Sequence, residues 1–300
     1  LTRSGSPAGS SCFLSIPHEW MCMSKSDKYP AESGRRRFVK GVVGGAALAG
    51  VGALGSATVN TLTTSSGVGG GQTAAMTIAK VTGPAPRGLP QIPIRVTDDG
   101  FLEGIWPEVQ TVEQNGVEIE VAQEELGGVT YSGAWFQYCG VESQENVAPN
   151  FESDNIFRAN TGAYDWQDET YERGDRIRAA DFDDYDSWGN GVGNDGVGKP
   201  AAVTWRSEDA DSTLNATVIR SKRIEEAASQ DEWLEASTDQ GFMAYLNVCT
   251  HFCCVPGYKQ LAESARYGVA DGTYCVCHQS GYDPFTIEQA LFVARPRPTE

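Results

Sequence analysis

All-β is the fold class expected of this sequence; strand-like alternation lends it some support, and the motifs described below carry most of it. Several short segments after residue 90 alternate apolar and polar residues with the period of two that a strand imposes on its side chains. In that part of the chain helical periodicity is confined to one segment, Ser221 to Ala236, with Ile224, Ala227, Ala228 and Leu234 on one face. No internal repeat divides the body, and with 40% hydrophobic and 10% aromatic residues it can bury one sizeable core. Disorder throughout is thereby excluded.

In chain order, residues 1–22 carry no recognisable pattern, and Met23-Ser24-Lys25-Ser26 reads as a start, so the preceding stretch is expected to be a non-native leader. Gly34-Arg35-Arg36-Arg37-Phe38-Val39-Lys40 resembles a twin-arginine export signal, with Arg35 and Arg36 as its arginine pair; residues 23–40 are its signal region. Residues 41–59 follow, rich in Gly, Ala and Val, and no charged residue occurs from Gly41 through Ala79. A span of that length just crosses a hydrocarbon core of ~30 Å. It is expected to be an N-terminal membrane-anchor helix or the apolar part of a signal. Basic residues ahead of it place its start in the cytoplasm and the body on the extracytoplasmic face of the cell membrane. Residues 60–90 read as a tether, Gly/Ser-rich from Ser65 to Gln72 and proline-rich from Gly83 to Pro90.

The body is assigned to residues 91–300. Ile92 to Val96, Gly116 to Val121 and Val129 to Tyr131 are strand-like, as are Ala201 to Trp205 and Ala216 to Arg220. Between them, residues 142–198 are acidic, aromatic and rich in Gly, Asn and Asp without periodicity, and are expected to form a long surface insertion. Trp166, Tyr171 and Trp188 within it are read as packing residues. Phe242 to Val248 is an apolar run that leads into the cysteines.

Charge separates the arm from the body. The chain holds 40 acids and 23 bases, for a net charge of −17, and the excess is +7 over residues 1–97 but −24 over residues 98–300. A body of that sign repels a polyanion, so nucleic acid is excluded as a partner. Only 7 of the bases are lysine, and a surface rich in Asp and Glu but poor in Lys stays solvated where salt screens charge within roughly 3 Å at 1 M. This composition points to a high-salt host such as a halophilic archaeon.

The chemistry is gathered in two boxes, Cys249-Thr250-His251-Phe252-Cys253-Cys254 and Cys275-Val276-Cys277-His278-Gln279-Ser280-Gly281-Tyr282-Asp283. Of the residues after Met23, both histidines and five of the six cysteines lie here. The spacing is Cys-x-His, 23 intervening residues, then Cys-x-x-His. Two thiolates and two neutral imidazoles suit tetrahedral zinc or a 2Fe-2S cluster with cysteines on one iron and histidines on the other. The further cysteines favour the second, because a disulfide clip between two cluster-bearing loops has no purpose in a zinc site and an exported location permits it.

These boxes, together with Cys254-Val255-Pro256, resemble the two cluster-binding boxes of high-potential Rieske iron-sulfur proteins of cytochrome bc complexes, the quinol:cytochrome c reductases. The resemblance implies a Rieske-type antiparallel sandwich with a cluster-binding subdomain, here residues 246–300. It implies that Cys249 and Cys275 hold the buried iron, His251 and His278 the outer iron, and that Cys254 pairs with Cys277. Ser280 and Tyr282 would donate hydrogen bonds, to a bridging sulfide and to a cysteine sulfur respectively. Such donors stabilise the added electron and raise the potential.

The chain departs from that pattern in places. Family members often have Gly where this chain has Cys253 and Gln279, and Pro where it has Val276; Cys253 is a rival to Cys254 for the disulfide. Cys139 reads as a small buried core residue. The long interval between boxes is expected to add a turn or short helix at Leu261 to Arg266. The family also has a proline loop over the cluster. Arg295-Pro296-Arg297-Pro298 lies in the expected order for it, although Gly83 to Pro90 looks more like that loop; the tether reading is the one adopted for the latter.

The function implied is electron transfer from a membrane quinol to a cytochrome or copper-protein acceptor, as the iron-sulfur subunit beside a cytochrome b-type membrane subunit and not as a catalyst alone. Histidines on an oxidised iron lose proton affinity, so His278, with His251 beside it, would take the quinol's hydrogen and later release it. Two alternatives are the Rieske small subunit of an exported molybdenum oxidase of the arsenite oxidase kind and a structural zinc module.

Overall fold

The computed structural model describes residues 71–114 and 116–295, and its first strand begins inside the expected tether. In chain order the strands are β1 (Gly71–Thr82), β2 (Leu89–Ile92), β3 (Ile94–Val96), β4 (Leu102–Gly104), β5 (Val109–Gln114), β6 (Val117–Leu126), β7 (Val129–Ser132), β8 (Arg158–Ala159), β9 (Lys199–Thr204), β10 (Asn215–Arg220), β11 (Phe242–Leu246), β12 (Gly257–Tyr258), β13 (Thr273–Cys275) and β14 (Ser280–Ala294). Among the described residues three short helices accompany them: α1 (Asp165–Thr170), α2 (Lys222–Ala228) and α3 (Glu232–Ser237). The fold is all-β. Nine strands form one sheet in the order β12-β13-β14-β1-β2-β11-β10-β9-β8, with β3–β4 as a separate pair and β5–β6–β7 as a small third sheet. The pairings of the nine-stranded sheet are antiparallel, as the resemblance implies.

Two cores lie on the two faces of the nine-stranded sheet, and β11 shows how. Phe242, Ala244 and Leu246 belong to the larger core, whereas Met243 and Tyr245 belong to the smaller one that also contains Cys249, Cys275 and Tyr282. Successive strand residues point to opposite faces, so a strand covered on both sides reads as an uninterrupted apolar run. Strand β1 is buried from Thr73 to Ala79, with Met76 alone partly exposed, for the same reason. That is why its sequence lacks a period of two, and why residues 71–82 form a strand paired with β14 instead of a tether.

Residues 142–198 are also not the surface insertion expected. Phe157, Ile177 and Phe182 are fully buried in the larger core, and Phe182 sits edge-on between Trp166 and Phe242. The Gln167 amide docks on β9, donating to the Ala202 carbonyl at 2.7 Å and accepting from the Ala202 N–H at 3.0 Å. These residues come from loops and single turns, which carry no periodicity to read. The helix predicted over Ser221–Ala236 is two helices. Ser221 caps α2 by accepting from the Arg223 N–H, and Asp231 caps α3 by accepting from the Leu234 N–H, so a second N-cap interrupts the first helix.

The β1–β14 pair carries the fold to the site. Its register shifts between Ile78, opposite Ile287, and Ala79, opposite Asp283. Pro284 lies in the excess on β14 and has no N–H for the ladder; the Asp283 carboxylate instead accepts from the Phe285 N–H and the Thr286 hydroxyl. Past this bulge β14 pairs with β13, setting Cys275 opposite Ser280 and Thr273 opposite Tyr282. Arg35, Arg36, the expected anchor 41–59, the leader and Pro296 to Pro298 lie outside the described residues. Among the described residues no helix is long and apolar enough to cross a membrane.

Candidate metal centre

Both boxes are tight turns closed in the same way. In the first, which follows β11, the Cys253 N–H donates to the Cys249 carbonyl at 3.0 Å; in the second, between β13 and β14, the Gln279 N–H donates to the Cys275 carbonyl at 2.9 Å. The fifth residue of each turn has a positive φ, +62° at Cys253 and +60° at Gln279. That backbone favours glycine, which accounts for the two positions where the sequence departs from the family's Gly.

The turns bring the predicted residues together. Cys254 and Cys277 form a disulfide with Cα atoms 6.6 Å apart, joining the boxes as the resemblance implies. The sulfurs of Cys254, Cys275 and Cys277 lie within 4.8 Å of one another, but two of them are spent in that disulfide, so they do not make a three-thiolate metal set. Cys249 and Cys275 are the free cysteines among the described residues, and both are buried. The rings of His251 and His278 stand 4.7 Å apart at 83°. His278 is exposed and His251 half-buried. The exposed Phe252 side chain lies 4.4 Å from the His251 ring and 5.1 Å from that of His278.

Electrostatics at the thiols favour a cation. A hydrogen bond from Cys275 draws the Cys249 thiol down to about 5 against the effect of burial, with Tyr282 adding a second bond; the Tyr282 hydroxyl stands 3.1 Å from the Cys249 sulfur. Cys275 is pushed up by that same partner and by burial, and Tyr282 is pushed up by burial above all. One thiolate thus forms readily, and its charge opposes the second. His251 Nδ1 is buried without a hydrogen-bond partner among the described residues. A buried imidazole nitrogen ordinarily has a partner; one without, in the box that also carries a buried free thiol, fits a metal-ligand set of two sulfurs and two ring nitrogens.

The proline-rich stretch Gly83 to Pro90, assigned above to the tether, lines this site. A Cβ on Gly83 would fall 2.4 Å from the Gln279 carbonyl oxygen, and one on Gly88 would fall 1.9 Å from that of Ile78, so both ends of the stretch need glycine to approach so closely. The Ala85 N–H donates to the Ser280 Oγ at 3.1 Å. The Thr250 hydroxyl donates to the Arg87 carbonyl at 2.7 Å. One loop therefore holds both boxes. Prolines among glycines were its signal, but flexible and stiff readings share that composition.

A second correction concerns Cys139. It is not a solitary core residue but forms a disulfide with Cys253, Cα atoms 5.3 Å apart across 114 positions. Cys253 is consequently no rival to Cys254. No local pattern links partners so far apart, and Tyr138, whose hydroxyl donates to the Val248 carbonyl at 2.7 Å, carried no signal either. The turn or short helix expected at Leu261–Arg266 is a 3-10 turn over Ala262–Tyr267.

Neither a family profile nor a solved structure matches this chain. Among curated proteins, an 86-residue stretch is 30% identical to the ubiquinol-cytochrome c reductase iron-sulfur subunit of Rickettsia felis and 36% identical to that of Rickettsia conorii. The match covers 29% of this chain and 43% of each relative, so the chain spans less than half the length of the curated relatives it matches. This similarity supports a Rieske-type protein, in agreement with the boxes.

Proposed function

We propose that this chain is a Rieske-type electron-transfer subunit that takes electrons from a membrane quinol and passes them to a cytochrome or copper-protein acceptor. One observation carries the reading: two buried free thiols, one bonded by a tyrosine hydroxyl, and two adjoining imidazoles are carried on loops clipped by the Cys254–Cys277 disulfide. Cys249 and Cys275 would hold one iron of a 2Fe-2S cluster, and His251 and His278 the other. Such a cluster supplies one-electron redox chemistry when bound.

The chain's own residues divide the remaining work. Tyr282 donates to the Cys249 sulfur, which favours negative charge there and hence the reduced state. Ser280 receives the Ala85 N–H on its oxygen, leaving its hydroxyl proton to donate toward the site. Cys249 and Cys275 are fully buried, so water is kept from the sulfurs. The exposed His278 is the group placed to accept a quinol's hydrogen at a ring nitrogen and release it to solvent. Phe252, Val255 and Val276, each more than half exposed, form an apolar rim suited to a quinol and a cytochrome b-type membrane subunit. Arg35, Arg36 and residues 41–59 support attachment to the cell membrane with a cytoplasmic N-terminus and an extracytoplasmic body, and the acidic, lysine-poor body supports a halophilic host.

Iron and acid-labile sulfide analysis of the protein purified from membranes, with low-temperature paramagnetic resonance after reduction, tests this. Two irons, two sulfides and a rhombic signal are expected for a cluster of this type; zinc, or no metal, would overturn the reading. Redox titration separates the proton role, since a midpoint potential flat from neutral to alkaline pH would remove it. Co-purification with a molybdopterin subunit in place of cytochrome b would reassign the complex.

A further inference from the structure

The Cys139–Cys253 disulfide lies outside the ligand set and outside the clip between the boxes, yet it costs the chain something. Cys253 adopts φ +62° and Cys139 φ +56°, a left-handed backbone that penalises side-chain-bearing residues by about 1–2 kcal/mol each. Glycine would remove that penalty at Cys253, so the side chain must serve a purpose there.

Its position shows which. Cys139 follows a segment embedded in the larger core: Trp135 and Phe136 are fully buried, Tyr138 nearly so, and Ser132 caps the 3-10 turn Gly133–Phe136 by accepting from the Ala134 N–H. Two links run from this segment to the first box, the Tyr138 hydroxyl to the Val248 carbonyl and the disulfide to Cys253. The Cys139 sulfur also lies 3.5 Å from the Cys249 carbonyl oxygen. With Thr250 fixed to Arg87 and Cys254 fixed to Cys277, the two residues not themselves anchored between Thr250 and Cys253 are His251 and Phe252. Without the disulfide, the tip of the box would hang from backbone bonds inside its own turn.

We infer that Cys139 and Cys253 are positioning residues: their disulfide fixes His251 and Phe252 to the body of the molecule and sets the angle of the His251 ring toward the site. The inference rests on the reading of the two boxes as metal-holding loops, but its first test does not require the metal.

Full-length protein would be compared with the C139S/C253S double variant and with C139S/C253G, in which glycine removes the strain at φ +62° so that loss of the link is not confused with failure to fold. Amide hydrogen exchange is read on metal-free and loaded protein. We expect at least tenfold faster exchange confined to residues 250–254 in both variants, with β10 and β11 unchanged, and a broadened paramagnetic signal in the loaded form. Val218→Ala, in the larger core, serves as a control that lowers global stability without touching the link. Exchange at 250–254 that matches this control, or a signal identical to wild type in both variants, would overturn the positioning role. Wild-type protein without iron and sulfide would overturn the Rieske reading, while the exchange experiment would still report on the link.

Discussion

The first and second boxes share one turn geometry, yet they are anchored to different things. The second is an excursion between two paired strands, β13 and β14, and the sheet holds its ends in register. The first lies between β11 and β12, which do not pair with each other, and is held by bonds to three other segments: Tyr138 and Cys139, the Arg87 carbonyl, and Cys277. The histidines differ in the same sense, His278 exposed and His251 half-buried with an orphaned Nδ1. Backbone pairing leaves its loop free to present a side chain to a partner; side-chain anchoring fixes its loop and draws it inward. One imidazole is thus arranged for access and the other for placement.

Five sets of substitutions test that difference, from the largest effect to the smallest. Replacing Cys249 or Cys275 by Ser removes one of two buried thiols and is expected to abolish iron content altogether, in both boxes alike, as measured by metal analysis. Replacing Cys254 and Cys277 by Ser opens a 23-residue loop, which the chain-entropy account puts at about 3 kcal/mol of stability. Denaturant unfolding should show it, and exchange should rise more in the second box, which has no other disulfide, than in the first. Tyr282→Phe deletes the hydroxyl 3.1 Å from the Cys249 sulfur; the midpoint potential is expected to fall by about 60 mV, one tenfold step for a single electron, with the fold unchanged. Gln279→Gly relieves a left-handed residue whose side chain is exposed, and a gain of about 1 kcal/mol is expected. Cys253→Gly should show no such gain, because it forfeits a disulfide. Equal behaviour of those two glycine variants would erase the distinction between the boxes.

How much of this was legible depended on where the information sat. Both boxes are local patterns, while the Cys254–Cys277 clip and the Tyr282 contact were expected from their resemblance to a known family, and the structure brings those residues together. Strands β6, β9 and β10 were legible from their alternation, whereas the all-β class came chiefly from the resemblance of the two boxes. Strand β1 was not, because burial on both faces erases alternation, and the proline-rich loop was not, because its partners Thr250 and Ser280 are distant in sequence. The same holds for Cys139 and for Phe157, Ile177 and Phe182. Contacts made by irregular segments across long separations leave no periodic trace.

The pairing of β1 with β14 also has a mechanical side. Gly71 lies opposite Ala294 at one end of this ribbon, and Thr82 lies opposite Gly281 at the other, beside the second box. At about 3.3 Å per residue, a ribbon of this length is a lever of roughly 35 Å, with the incoming chain at one end and the thiols and imidazoles near the other. Because the ribbon is built into the nine-stranded sheet, the thiols and imidazoles move with the sheet as one body, and the rigidity that preserves their internal geometry comes from it.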